Sequence, residues 1–193
     1  AATLGAFRAL GWGPLLDGHL PLPAAAVVGG RPHAQAGHAF QGLVGQAVGA
    51  DGKDAGGGGF FVAEADESDG SFVEYHPFAA IVTNVEHDHV DFFATPEAVE
   101  QAFRDFAATI KPDGFLTYCA DDAGAVALAN TTASAELVSY GVSESADLHI
   151  DQIELLTMGS KARAIWKGKS VGHIELQVPG HHNLLNAAGV LAT

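Results

Sequence analysis

Short, largely apolar runs alternate with amphipathic segments through the middle of the chain. The runs lie at residues 24–28, 60–63, 79–82, 115–119 and 137–140. Runs of this length are typical of strands buried on both faces of a parallel sheet. Residues 95–110 and 121–129 instead have apolar positions at helical spacing, and Thr95 followed by Pro96 is a typical helix start. The pattern predicts an α/β domain with a mainly parallel sheet covered by helices.

The pattern changes after Gly141, where apolar and polar residues alternate. Residues 147–178 therefore predict a smaller antiparallel β set with one solvated face, and residues 167–170 predict a hairpin turn within it. Pro179 and Gly180 end the last strand, and a helix is predicted from His182 onward.

The first 59 residues contain fewer regular patterns. Leu4, Phe7 and Leu10 predict a short helix, and a long segment rich in Gly, Ala and His follows the strand at 24–28. The four glycines at 56–59 precede a strand, whereas a phosphate-binding loop follows a strand and opens a helix. They predict a flexible loop.

Composition and charge exclude several classes of protein. The 193 residues are 48% hydrophobic and 17% charged, which is enough apolar material for one domain with a real core. The formal net charge of −14 disfavours nucleic-acid and anionic-membrane partners, which need clustered cations. No apolar run approaches the length of a membrane-spanning helix, and the single Cys119 excludes an internal disulfide. These features predict a soluble protein of a reducing cytoplasm.

Two polar segments follow buried strands directly, at residues 64–71 and 83–91. Ligands of open parallel sheets bind beyond the carboxyl ends of the strands, so both segments are expected at that edge, side by side if their strands pair. Glu64 and His89 are then candidate ligands of one metal site, approaching each other across neighbouring strand ends. One carboxylate with one imidazole favours Mg²⁺ or Mn²⁺ over a structural zinc site. The alternative is a solvated acidic loop in which His87 and His89 only cap a turn.

Three strings together resemble a known family. They are Glu-Ala-Asp-Glu-Ser-Asp-Gly-Ser-Phe at 64–72, Ile-Val-Thr-Asn-Val-Glu-His-Asp-His-Val-Asp at 81–91, and Pro-Gly-His-His-Asn-Leu-Leu-Asn-Ala-Ala at 179–188. In this order they resemble the central, ATPase-type domain of the Mur ligases. The resemblance extends from the first helix to Thr193.

The resemblance implies ATP and Mg²⁺ as cofactors and assigns roles to individual residues. Glu64 is implied to hold a Mg²⁺ that bridges the nucleotide phosphates, and His89 a second Mg²⁺ near the substrate carboxylate. The remaining implied site residues are His182, Asn183 and Asn186 beside the adenine, and Ser68, Asp69 and Asn84 at the substrate. The residue type alone leaves an alternative for Asn183, because Asn is also a preferred helix cap.

The implied reaction joins L-alanine to the lactyl carboxylate of UDP-N-acetylmuramate at the expense of ATP. Ser68 favours the alanine-adding members, because members that recycle murein tripeptide usually carry an aromatic residue there. That tripeptide ligase and a catalytically inert nucleotide- or metal-binding module remain alternatives. The family's phosphate loop and its amino- and carboxy-terminal domains do not occur in residues 1–193, so this chain is expected to be a central-domain fragment that is inactive alone.

Overall fold

The computed structural model describes residues 25–28, 62–65, 67, 70–87, 90–133 and 135–193. At 25–28 and 62–64 the description concerns the backbone alone. The predicted first helix, the glycine run at 56–59, and Ser68, Asp69 and His89 lie outside the described residues.

In the described part of the chain, strands and helices alternate as the apolar pattern predicts. The strands are β1 (Ala25–Val28), β2 (Val62–Ala65), β3 (Ala79–Val82), β4 (Phe115–Cys119), β5 (Glu136–Gly141), β6 (Leu148–Leu156), β7 (Gly159–Trp166) and β8 (Lys169–Leu176). The helices are α1 (Pro96–Ala108), α2 (Ala123–Thr131) and α3 (His181–Ala192), and a single 3₁₀ turn covers Ser71–Glu74.

The described strands form one mixed sheet in the order β2-β1-β3-β4-β5-β6-β7-β8. Every pair from β2 to β6 is parallel, while β6 with β7 and β7 with β8 are antiparallel. The predicted fold class is confirmed: a mainly parallel sheet continues directly into a smaller antiparallel set.

The structure corrects two expectations about the strands that carry the site. The described strand β2 extends two residues beyond the predicted run, because its pairing with β1 continues through Glu64 and Ala65. Glu64 is therefore inside the strand instead of after it. In addition, β1 lies between β2 and β3, so the two polar segments do not follow neighbouring strands. Two strand spacings put the ends of β2 and β3 about 10 Å apart.

Helices cover both faces of the parallel strands. Ile81 of β3 packs into one buried cluster with Leu184 of α3, whereas Val82, its neighbour in sequence, packs into another with Phe103 and Phe106 of α1. The split follows from the alternating direction of successive side chains in a strand. Helix α1 begins as predicted, with the Thr95 hydroxyl accepting a hydrogen bond from the amide of Ala98 (3.3 Å) and proline in the first turn.

The antiparallel strands are joined by tight turns. Lys167 and Gly168 both have positive φ (46° and 80°), the conformation of a two-residue hairpin whose twist matches the flanking strands. The predicted turn is thus shorter than four residues, because Lys169 and Ser170 already pair with β7. Within the described residues, no helix is both long and apolar enough to cross a membrane.

Candidate functional site

The segment after β3 is held near its start by a contact with the cap residue of α2. The amide of Val85 donates a hydrogen bond to Oδ1 of Asp122 (3.1 Å), the residue that caps α2. Beside it, the hydroxyl of Thr83 donates to Oδ1 of Asn84 (3.0 Å). The predicted substrate residue Asn84 therefore lies in a segment whose backbone is fixed at the carboxyl edge of β3.

A histidine joins the middle of the same segment to the residues just after it. Nε2 of His87 donates a hydrogen bond to the carbonyl oxygen of Phe93 (3.0 Å), and the Phe93 side chain is buried in the core beside α1. His87 thus has a structural contact through one of its two ring nitrogens. That His89, and not His87, is the ligand in this motif stays a prediction.

The acidic segment after β2 turns tightly and contacts the segment after β3. The amide of Gly70 donates to the carbonyl oxygen of Glu67 (3.0 Å), and Gly70 has φ 70°. The ring of Phe92 lies 2.7 Å from the point where a Cβ on Gly70 would stand. Although β1 separates their strands, the two polar segments therefore come together where Gly70 meets Phe92, the residue that follows the second segment.

One buried acidic residue of this segment, Glu67, was not singled out from sequence. Glu67 is only 6% exposed, the lowest exposure of any acidic side chain in the described residues. Of the predicted acidic ligand Glu64, the structure gives only the backbone, at the third position of β2. In the part of the chain that the structure describes, no three His, Cys, Asp or Glu residues form a group that could hold a metal ion. The metal roles of Glu64 and His89 therefore stay predictions.

The start of α3 carries the third motif. Gly180 occupies the cap position with φ 118°, and Asn183 lies inside the first turn. Nδ2 of Asn183 donates to the carbonyl oxygen of Pro179 (2.7 Å), so this side chain does not cap the helix amides. The capping interpretation of Asn183 is therefore wrong. The cap residue is Gly180, three positions earlier, and its positive φ is a conformation that glycine adopts readily.

Asn183 also has an unused acceptor. The side chain is 4% exposed, and its Oδ1 has no hydrogen-bond partner among the described residues. A buried amide oxygen without a partner is costly, so a water, an ion or another group from outside the described residues is needed to satisfy it. On the same helix, Asn186 is half-buried and His182 is exposed.

Comparison with known proteins identifies the family. The model of the Mur ligase middle domain matches residues 52–193. This chain belongs to the Mur ligase family. The resemblance found in the three motifs is therefore confirmed, and the matched region, which begins at residue 52 and not at the predicted first helix, contains all three.

Relatives within the Mur ligase family agree with this assignment. A UDP-N-acetylmuramate–L-alanine ligase from Paenarthrobacter aurescens (strain TC1) is 51% identical over 135 residues, covering 68% of this chain and 28% of that protein. The chain thus spans well under half the length of this curated relative.

Solved structures of Mur ligases share the fold. The UDP-N-acetylmuramate–alanine ligase from Thermotoga maritima superposes with a TM-score of 0.67 at 22% identity, covering 88% of this chain and 40% of that one. MurF ligase from the same organism, solved in complex with ADP, gives a TM-score of 0.65 at 16% identity, with coverages of 96% and 48%.

The contact of Asp122 with the candidate site of this Mur ligase domain was not predicted from the sequence. The sequence places a helix start near Asp121, so a capping Asp is visible there. The second bond, to Val85, spans 37 residues along the chain and has no sequence signal.

The lone thiol at this edge is not activated. Burial raises the pKa of the Cys119 thiol above its ordinary value. Hydrogen bonds from the Asp121 and Asp122 backbone lower the pKa, but by less. A thiol in such surroundings stays protonated and behaves as a small apolar group.

Proposed function

We propose that this chain is the central domain of an ATP-dependent ligase that joins L-alanine to the lactyl carboxylate of UDP-N-acetylmuramate, a step of peptidoglycan synthesis in the bacterial cytoplasm. The observation that carries the proposal is the 51% identity to a UDP-N-acetylmuramate–L-alanine ligase over 68% of the chain. Because the match covers 28% of that relative, the activity is proposed for the full-length protein.

The proposed reaction has two chemical steps. The lactyl carboxylate takes the terminal phosphoryl group of ATP, releasing ADP, and the amine of L-alanine then displaces phosphate from the acyl carbon to form the amide. Both steps gather negative charge near the phosphates, so catalysis consists mostly of positioning and charge neutralisation. When bound, Mg²⁺ supplies that neutralisation.

Glu64 and His89 are the proposed magnesium ligands. A carboxylate or an imidazole, completed by phosphate oxygens and water, is a donor set that suits Mg²⁺ or Mn²⁺. Support for two neighbouring metal sites, one at each residue, comes from the contact between Gly70 and Phe92, which brings the segments after β2 and β3 together. We propose Ser68, Asp69 and Asn84, which lie in the same two segments, as the substrate contacts.

The first turn of α3 is the proposed adenine contact. The Nδ2 of Asn183 is engaged by Pro179, which leaves the buried Oδ1, without a partner among the described residues, to accept a hydrogen bond. An acceptor of this kind matches the exocyclic amine of adenine, a hydrogen-bond donor. We propose His182 and Asn186, on the same turn and the next, as its neighbours in this contact. The ADP bound in the related MurF structure supports nucleotide binding by this fold.

Product analysis of the full-length protein tests the proposal. Purified protein is incubated with ATP, Mg²⁺, UDP-N-acetylmuramate and either L-alanine, glycine, L-serine or murein tripeptide, and products are identified by mass spectrometry. We expect the L-alanine adduct to form with the highest kcat/KM. Preferred formation of the tripeptide adduct would reassign the chain to the recycling ligase, and no product with any amine would leave an inert nucleotide-binding module.

A further inference from the structure

One carboxylate oxygen connects α2 to the segment after β3. Oδ1 of Asp122 accepts hydrogen bonds from the amide of Ala125 (2.7 Å), which caps the helix, and from the amide of Val85 (3.1 Å). The first bond is local and stabilises α2. The second joins parts of the chain that are distant in sequence, and it ends one residue after the proposed substrate contact Asn84.

The backbone around this bond leaves little room for the segment to move. A Cβ on Gly124 would stand 2.3 Å from the carbonyl oxygen of Val85, so the first turn of α2 lies directly against the Val85 peptide. Both the amide and the carbonyl group of Val85 are thus in contact with the start of α2. Only glycine at position 124 permits so close an approach.

We propose that Asp122 is a positioning residue of the ligase: it fixes the Asn84–His87 backbone at the carboxyl edge of β3, so that the site residues of this motif are held in place before substrate binds. The inference rests on the proposed function. A hydrogen bond to a carboxylate is roughly twice as strong as one between neutral groups, which suits a single bond that orients a loop. Pre-organisation matters because displacing a reacting group by about 1 Å can cost about 100-fold in rate.

The neighbouring residue provides a matched control. Oδ2 of Asp121 accepts the amide of Val142 (2.6 Å), and Oδ1 accepts the amide of Ser143 (3.0 Å). Asp121 therefore also holds two backbone amides with one carboxylate, in a turn that contains no proposed site residue. Asp121→Ala removes a comparable set of bonds without touching Val85.

Hydrogen exchange on the full-length protein tests the anchor without reference to activity. In Asp122→Ala we expect amides of residues 84–87 to exchange at least about 10-fold faster than in the unmutated protein. Asp122→Asn keeps an oxygen acceptor and a good helix cap, so exchange is expected to stay near the original rate. Unchanged exchange in Asp122→Ala, or an equal increase in Asp121→Ala, would overturn the anchor.

Steady-state kinetics on the same proteins tests the positioning role. Asp122→Ala is expected to lower kcat/KM for UDP-N-acetylmuramate by about 10-fold or more, with Asp122→Asn and Asp121→Ala within about 3-fold of the original value. Equal losses in Asp122→Ala and Asp121→Ala would mean that Asp122 only stabilises the fold. If the unmutated protein forms no product, the proposed function fails, and the exchange experiment still decides whether Asp122 anchors the segment.

Discussion

The carboxyl edge of the parallel strands and the antiparallel strands β6–β8 are built from different kinds of contact. In β6–β8 each strand pairs with its neighbour in sequence, and side chains such as Asp151 and Arg163 face each other across the ladder. At the carboxyl edge, single contacts join distant segments, as between Asp122 and Val85 and between Gly70 and Phe92. The antiparallel part is thus fixed by many local contacts, whereas the candidate site depends on a few long-range ones.

The largest expected effects come from the proposed metal ligands. In the full-length enzyme, Glu64→Ala and His89→Ala are each expected to lower turnover by about 100-fold or more, equivalent to about 2.7 kcal/mol of transition-state stabilisation. Thermal unfolding should change little, because neither side chain is predicted in the apolar core.

His87→Ala is the control for these variants. Its Nε2 bonds the Phe93 carbonyl, so the variant should lose about 1 kcal/mol of stability and keep most of its turnover. Loss of activity in His87→Ala with full activity in His89→Ala, both variants being folded, would show that the wrong histidine was assigned.

Substitutions at two glycines, Gly70 and Gly168, distinguish the effect of backbone strain from the effect of the contact between the polar segments. Gly70 (φ 70°) faces the Phe92 ring, whereas a Cβ on Gly168 (φ 80°) would have no atom of the described residues within 4 Å. Each change to alanine is expected to cost about 1–2 kcal/mol from the left-handed conformation, measured by urea unfolding. Only Gly70→Ala should also lower turnover, by about 10-fold, because it displaces Phe92 from the acidic segment. Equal turnover in the two variants would contradict a catalytic need for that contact.

Cys119→Ser is expected to affect stability alone. Cys119 is 4% exposed in an apolar cluster, so the more polar serine is expected to cost about 1 kcal/mol, because the backbone of Asp121 and Asp122 can still hydrogen-bond its hydroxyl. Turnover at a temperature where the variant is folded should equal that of the unmutated enzyme, because burial keeps the thiol protonated. Abolished turnover with intact fold and substrate binding would give Cys119 a chemical role.

The smallest effect is expected in the antiparallel strands. A hydrogen bond from Arg163 holds the pKa of Asp151 below its ordinary value, so the pair stabilises the folded state above about pH 4 and this contribution is lost as the pH falls through the lowered pKa. Asp151→Asn should therefore lower the unfolding midpoint slightly at pH 7 and converge with the unmutated protein in acid. A constant difference across pH, or a loss of turnover, would contradict this assignment.

Sequence predicted the two regions to different extents. Strands β3 and β4 begin and end where their apolar runs do, and the alternation of apolar and polar residues after Gly141 predicted the antiparallel set. Both predictions succeeded because the periodicity of buried positions can be read from neighbouring residues alone. Strand β2 extends past its predicted end because backbone pairing with β1 does not require apolar side chains and continues through Glu64 and Ala65.

The site was predictable in its residue types but not in its contacts. The motifs indicated where carboxylate, imidazole and amide groups concentrate along the chain. The insertion of β1 between β2 and β3 depends on sheet topology, which no local pattern encodes. Likewise, the sequence allows the Asn183 side chain to cap a helix, and only the positions of Gly180 and Pro179 exclude that cap.

Anomalous diffraction from crystals of the full-length protein with Mn²⁺ and a non-hydrolysable ATP analogue tests the central claim most directly. Mn²⁺ accepts the same oxygen and imidazole ligands as Mg²⁺ and can be located by its own scattering. We predict one peak at the Glu64 carboxylate and a second at the His89 ring, both beside the terminal phosphate. Peaks coordinated by other side chains, with Glu64 and His89 both unliganded, would contradict the account.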